Sequence, residues 1–503
     1  MKKFIKNNTS VILLILIIGL GSFLRVYKLA DVPYGFFCDE ASIGYNGFNI
    51  LLKGTDEFGK FFPLYFQSFG DYKPGLPIYS TVPSIFFLGL NEFSVRLPFA
   101  LYGTLLVGLM YGVGKNLYSR KLGIIAAGLS AISPWLIHYS RIGFELITFP
   151  TIFMLSFLFL LKSRRKPMSI PIFFIFLGLT FYTYRSSFLI TPLFLIAFLS
   201  IYKNVFLKNI KLSIIGGLSF IIISAPFAIS ILDKTGLNRF QQVSLITQNI
   251  PYTEKLTTIF DNYFYQLNPS FLFLRGDTTF ITRHFNNGFT PLYLVMAPFL
   301  FFGLVWIIKN HTQNFSKLAF IWILIYPISG SLAGAPFTSR SIIGAPIIIL
   351  LTAMGIIYFS ELAKRKFRFE TTFVTILLFF LSLLFFFNFY FFKYPLYSSN
   401  FWGWQYGARD IINYFVKNES QYDQLIMAPE FNAPEIFFKF YAPNDCKKCM
   451  VGLPDTNYDP NIKQLFAVTS NYLSKNPGYK LNTKKIIYYP NGSIAFRIGE
   501  IVK

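Results

Sequence analysis

Apolar residues run along this chain in long unbroken stretches, not in the periodic alternation of helices or strands at the surface of a soluble core. A run of roughly 20 such residues crosses the hydrocarbon layer as a helix. Eleven segments predict spans of this kind: 11–26, 97–117, 122–138, 146–161, 170–184, 188–202, 212–232, 291–308, 318–332, 341–359 and 371–392. The first follows Lys2, Lys3 and Lys6 but lacks a small-residue cleavage site, so it reads as a span and not as a leader. Segment 76–90 is apolar but short and interrupted by Pro77 and Pro83. It is expected to be an interfacial or re-entrant helix inside one long loop, 27–96. A second long loop, 233–288, mixes aromatic and polar residues and is expected to be ordered. Beyond residue 392 the pattern turns polar. A helix over 402–416, a strand over 422–428, a helix over 432–441 and a hairpin over 485–501 turning at Asn491-Gly492 predict a small α/β domain over 393–503.

Charge orients these elements. The net charge is +23, and nineteen basic residues fall at the N-terminus and in five loops, 115–121, 162–166, 203–211, 309–317 and 364–368. Only Glu361 and Glu370 share that side, so the positive-inside rule makes it cytoplasmic and puts the C-terminal domain outside. If 76–90 spanned, Lys162–Lys166 would face outward, which is why it is read as non-spanning. A basic excess set in loops between spans suits membrane topology and anionic lipids, not nucleic acid. With 53% hydrophobic and 14% charged residues, the 503-residue chain falls well short of the roughly one-quarter charged share of a soluble domain. The expected protein is therefore an α-helical polytopic protein of the plasma (inner) membrane, its module 1–392 followed by the extracytoplasmic domain.

Twelve of the fourteen Asp and Glu residues before position 393 fall on the outer side, and none sits mid-span. An ion-coupled transporter places ionisable groups near the midplane, so chemistry is expected at the outer surface. Asp39 and Glu40 follow Phe36-Phe37-Cys38 just after the first span. Adjacent carboxylates beside aromatics can serve as a general base for an acceptor hydroxyl or amine. A solvated acidic pair at a helix start is the competing reading. In Gly70-Asp71-Tyr72-Lys73-Pro74-Gly75, Lys73 is a cation for phosphate or a snorkelling interfacial lysine. Arg141 with Glu145, Arg283-His284 and Arg340 occupy other outer loops, where converging arginines suit a phosphate or diphosphate leaving group. Cys446 and Cys449 form a C-x-x-C suited to a local disulfide or two free thiols, with too few Cys and His elsewhere for a zinc site.

Three blocks in order carry a resemblance: Asp39-Glu40-Ala41, Gly70-Asp71-Tyr72-Lys73-Pro74, and Leu90-Asn91-Glu92-Phe93-Ser94-Val95-Arg96-Leu97-Pro98. Together with Ser133-Pro134 and Tyr139-Ser140-Arg141 they resemble the GT-C superfamily of polyprenyl-phosphate-sugar-dependent glycosyltransferases, in the protein O-mannosyltransferase and aminoarabinose-transferase-like branch. The resemblance implies inverting displacement at an anomeric carbon, with Asp39 as base, Glu40 its neighbour, and Lys73 and Arg141 near the phosphate. Asp71, Glu145, Arg283, His284 and Arg340 complete the expected substrate-binding set. Gly75 stands where the family often has a second proline, and Glu145 where it commonly has Asp. The implied partners are a polyprenyl-phosphate-linked sugar donor, a lipid, glycan or protein acceptor, and membrane lipids. No cofactor is expected to be required, a divalent cation being the one left open. A lipid-linked polysaccharide polymerase or ligase is the alternative, and a lipid-linked-sugar flippase would need charges through the bundle that the sequence does not show.

Overall fold

The computed structural model describes residues 2–232, 242, 244–277, 282–285, 289–335, 337–367 and 370–502. Asp233, Gly288 and Arg368 lie outside the described residues, as do parts of the 233–288 loop. Six helices are long and apolar enough to cross a membrane: Glu92–Leu117, Glu145–Ser163, Ile210–Leu232, Asn314–Leu332, Ile342–Arg365 and Thr372–Ser398. A seventh forms if the bent pair Arg120–Ile132 and Pro134–Ser140 counts as one span. The chain is a multi-pass membrane protein. The other four expected spans have apolar helical stretches of 10–17 residues, the first of them Ser10–Val26 within helix Lys2–Val26, and Gly75–Leu88 is of the same kind, so length and composition support six or seven spans and leave eleven unconfirmed. At about 1.5 Å per residue, apolar stretches of this length fall short of the roughly 30 Å hydrocarbon layer.

The 57° bend between Arg120–Ile132 and Pro134–Ser140 departs from the single helix expected over 122–138. Pro134 has no N–H to continue the first helix and holds Ser133 in an extended conformation. The Ser133 side chain then caps the short second helix through Leu136 N. The bend delivers Tyr139, Ser140 and Arg141 into the core, where all three are fully buried.

The first long loop is ordered throughout. Helix Cys38–Lys53 is followed by strands β1 (Tyr65–Ser68) and β2 (Asp71–Pro74) and by helix Gly75–Leu88. β1 and β2 pair as a hairpin with Ser68 opposite Asp71 and Phe66 opposite Lys73. Its two turn residues, Phe69 and Gly70, have φ of 50° and 76°. This left-handed pair at the two central positions matches the twist of a two-residue hairpin. Strand periodicity then sends Asp71 and Lys73 to the same face.

In the C-terminal region β3 (Gln424–Met427), β4 (Cys449–Val451), β5 (Gln464–Val468), β6 (Lys480–Tyr488) and β7 (Ile494–Val502) form one sheet in the order β4-β3-β5-β7-β6. β3 runs parallel to β4 and β5, and β7 runs antiparallel to β5 and β6. The hairpin turns at Asn491-Gly492 as expected, with Gly492 at φ 84°. Helices begin later than the sequence pattern suggests, at Ala408 and Glu435, because 402–407 and 432–434 are taken up by turns. Strands β4 and β5 are short and were not legible as periodic runs. Cys446 and Cys449 are joined in a disulfide, with Cα atoms 5.4 Å apart.

Helix Glu435–Tyr441 seats this sheet against the first loop. Phe440 packs 4.8 Å from Phe36, centroid to centroid. Gly44 lies so close to Phe440 that a Cβ would meet its ring at 2.7 Å. Tyr441 donates to Glu92 at 2.9 Å, and Lys439 pairs with Glu57 at 3.1 Å. The sheet therefore rests on the helix that carries Asp39.

Candidate active site

Phe37 caps helix Cys38–Lys53, so Asp39 is its second residue and Glu40 its third. Neighbouring helical residues point about 100° apart, and the two carboxylates part company there. Glu40 is fully buried. It receives Arg96 Nε at 2.8 Å and Nη2 at 3.0 Å, the backbone N–H of Gly143 at 2.7 Å and that of Phe37 at 3.1 Å. Every lone pair has a donor, and no surface remains for a substrate. This burial gives Glu40 a positioning role: it holds the helix start that presents Asp39.

The buried arginines extend this foundation. Arg96 also donates to the carbonyls of Leu29, Pro33 and Gly35, at 3.2, 3.2 and 2.8 Å. Arg25 ties the first helix to the Ser130 and Ala131 carbonyls at 3.1 Å each. Arg141 donates to the carbonyls of Leu24, Lys28 and Val32, at 2.9, 3.2 and 2.9 Å, and lies 4.7 Å over the Phe391 ring. Its Nη1 and Nη2 are taken by main-chain acceptors under full burial, while its Nε is buried without a hydrogen-bond partner. Arg141 thereby fixes the turn between the first helix and Asp39.

Asp39 turns the other way, toward the β1–β2 hairpin. Its carboxylate meets Lys73 Nζ at 2.5 Å, with side-chain exposures of 31% and 12%. Burial opposes charge on Lys73, but Asp39 and then Glu145 outweigh it and raise its pKa above the usual lysine value. Lys73 is therefore an ammonium at neutral pH. Asp71, on the same hairpin face, pairs with Arg185. Arg283 completes the cluster. Its guanidinium stacks 3.6 Å over Phe37, and Tyr394 anchors its backbone by donating to its carbonyl. Its Nε and Nη1 are buried without a hydrogen-bond partner. Burial lowers the Arg283 pKa, and Asp39 is the largest opposing influence. Asp39, Lys73, Glu145 and Arg283 form one electrostatic cluster, with a guanidinium still offering donors.

His284 and Arg340 belong elsewhere. His284 Nδ1 lies 3.0 Å from His138 Nε2, and His138 Nδ1 lies 3.2 Å from the Tyr390 hydroxyl. Burial, then His138 and Arg283, pushes the His284 pKa well below its usual value, so it is neutral. Arg340 donates to the Ala335 carbonyl at 2.6 Å and stacks 4.8 Å over Phe337. It acts on Asp277, whose buried carboxylate accepts from Thr338 N at 2.7 Å and Thr338 Oγ1 at 3.1 Å. Among the described residues no three His, Cys, Asp or Glu side chains gather as a metal ion needs.

Sequence reasoning missed Arg96, Arg185 and His138. Arg185 carried a signal: a cation in a three-residue outer loop runs against the positive-inside bias and calls for a local partner. Arg96 opens an expected span and His138 closes one, where only three-dimensional contact reveals their work.

A bundle with six or seven helices long and apolar enough to cross a membrane, an ordered first loop, an ion-pair cluster at one end and a sheet domain seated on it is the architecture to compare with known folds. Residues 78–229 match the family described as dolichyl-phosphate-mannose-protein mannosyltransferase. The chain is similar in structure to ArnT from Cupriavidus metallidurans in the apo state, with a TM-score of 0.60, 12% identity and 98% of each chain covered. It is also similar to the same enzyme bound to undecaprenyl phosphate, with a TM-score of 0.58, 11% identity and 97% of each chain covered. The Archaeoglobus fulgidus oligosaccharyltransferase tethered to an acceptor peptide aligns with a TM-score of 0.51 at 11% identity, over 98% of this chain and 74% of that one. No curated protein matches by sequence. At these identities the structural likeness establishes the fold.

Proposed function

We propose that this protein transfers a sugar from a polyprenyl-phosphate carrier to an extracytoplasmic acceptor, with inversion at the anomeric carbon. The observation that carries this reading is the buried, under-donated Arg283 guanidinium beside the Asp39–Lys73 pair. A phosphate oxygen would supply what Arg283 lacks, in charge-assisted hydrogen bonds. The undecaprenyl phosphate bound by the similar ArnT fold supports a lipid-phosphate carrier.

In this mechanism Asp39 takes the proton of the acceptor O–H or N–H as that atom attacks the anomeric carbon. The bond from that carbon to the phosphate oxygen breaks on the opposite face, and the electron pair leaves with the phosphate. Arg283 and Lys73 receive the charge that develops on it. The products are the glycosylated acceptor and free polyprenyl phosphate, and Asp39 returns its proton to solvent. Asp71 and Arg185 hold the hairpin that carries Lys73, and Glu145 keeps Lys73 charged. Residues 1–392 are proposed as the catalytic module and 393–503 as the domain that closes over its first loop. The Asp39 end faces outward from the plasma (inner) membrane and the N-terminus is cytoplasmic, a placement motivated by the charge bias of the loops.

The test is to incubate the purified chain with a panel of polyprenyl-phosphate sugars and measure release of polyprenyl phosphate. Release dependent on an acceptor is the expected result. Absence of release with every donor, from folded protein in a bilayer, would refute the reading. A polymerase or ligase would instead require a diphosphate-linked oligosaccharide, which the same panel can include.

A further inference from the structure

A second polar site lies at the other end of the bundle. Span Glu145–Ser163 has 19 residues, so Arg164 lies about 28 Å from the Asp39 cluster along its axis. There the structure forms an open cleft of about 480 Å³. Arg164 follows that span, Tyr202 and Lys203 follow helix Ser187–Ile201, and Asn314 and Lys317 open helix Asn314–Ile325. The three loops that meet are remote in sequence, and each is one that the charge pattern assigns to the cytoplasmic side.

Three features give the cleft a chemical character. Arg164, Lys203 and Lys317 line it, and no carboxylate does. Among the described residues, no ion pair engages any of the three. Tyr202 is 2% exposed, yet its hydroxyl has no hydrogen-bond partner. A buried hydroxyl normally finds one, and Asn204 and Asn314 add amide donors at the rim. Converging cations with a buried free donor suit a phosphate anion. The helix that leads into the cleft carries exposed apolar residues: Ile196 and Leu199, within two turns before Tyr202, are 66% and 42% exposed.

We infer that this cleft binds the phosphate of an anionic phospholipid from the cytoplasmic leaflet, its headgroup between Arg164, Lys203 and Lys317 and its chains along Ile196 and Leu199. The exposed apolar residues and the position at the ends of spans favour a lipid over a soluble phosphate. The site is independent of the glycosyl-transfer reading, since it shares no residue with it.

The experiment uses the full chain purified in detergent, incubated with equimolar phosphatidylglycerol and phosphatidylcholine and then examined by native mass spectrometry. One phosphatidylglycerol should be retained in preference to phosphatidylcholine. The triple variant Arg164→Gln, Lys203→Gln, Lys317→Gln should lose that retention by about tenfold or more. Tyr202→Phe, which only removes a hydroxyl, should weaken it several-fold and covers the case that the triple variant folds poorly. Equal retention of the two lipids, or unchanged retention in Tyr202→Phe and the triple variant, would overturn the proposal. Displacement by inorganic phosphate at concentrations equal to the lipid would assign the site to soluble phosphate and overturn the lipid source.

Discussion

Asp39 and Glu40 are neighbours in sequence and opposites in structure. Glu40 is sealed in a fully buried network with Arg96, Gly143 and Phe37. Asp39 is one-third exposed and shares its charge with Lys73 at the edge of the hairpin. The two carboxylates show how one helix start can be both foundation and reacting edge. Burial decides the division of labour: a sealed ion pair has no capacity left for substrate, whereas a partly open cluster with a donor to spare does. The same contrast sorts the arginines. Arg25 and Arg96 spend their donors on main-chain carbonyls, Ser140 and Glu40, Arg141 keeps one buried donor, Nε, without an acceptor, and Arg283 keeps two, Nε and Nη1.

The largest effect is expected from breaking the foundation. Glu40→Gln leaves Arg96 buried without its counter-charge, a loss of about 3–5 kcal/mol. Thermal unfolding followed by fluorescence-detected size exclusion should show a strongly lowered midpoint, with Arg141→Ala falling in the same direction. If Glu40→Gln melts like the parent but loses turnover, the two carboxylates have been assigned the wrong way round. Next comes the open cluster. Arg283→Ala should cost about 2–4 kcal/mol in transition-state stabilisation, roughly 30- to 1000-fold in kcat/KM for the lipid-phosphate donor. Its melting should move far less than that of Glu40→Gln. Asp71→Asn should be milder, about tenfold or less, because it weakens only the hairpin's tie to Arg185.

The smallest effect concerns pH. Burial pushes the Asp277 pKa from 3.8 up to about 7, against the hydrogen bonds from Thr338. The folded state therefore holds a proton that the unfolded chain releases between those values. Stability linked to Asp277 is complete below about pH 4 and is lost as pH rises through 7. Asp277→Asn, which imitates the protonated form, should flatten that part of the stability-against-pH curve. An unchanged curve would show that Asp277 does not titrate in this window.

Much of the fold was legible because the bilayer imposes it: apolar length marks helices, and basic loops mark a side. Legibility failed where helices are short or bent. Pro134 splits one expected span, and four others have apolar stretches too short to be counted as spans by length and composition. In the site, sequence singled out Asp39, Lys73 and Arg283, which the structure brings together, since a charge in a loop beside aromatics stands out. It could not separate Glu40 from Asp39, because side-chain direction at a helix start depends on what packs against each face. Nor could it see that Nη1 and Nη2 of Arg141 would go to the Leu24, Lys28 and Val32 carbonyls, which the bend at Ser133-Pro134 brings within reach.

The most direct measurement compares Asp39→Asn with the parent in nanodiscs at saturating lipid-phosphate sugar, scoring polyprenyl phosphate release and melting together. Asparagine keeps the shape of Asp39 but cannot accept the acceptor's proton. Turnover should fall by about 100-fold or more while melting stays close to that of the parent. Full turnover in Asp39→Asn would contradict the assignment of Asp39 as the base and pass that role to Glu145 or Asp71.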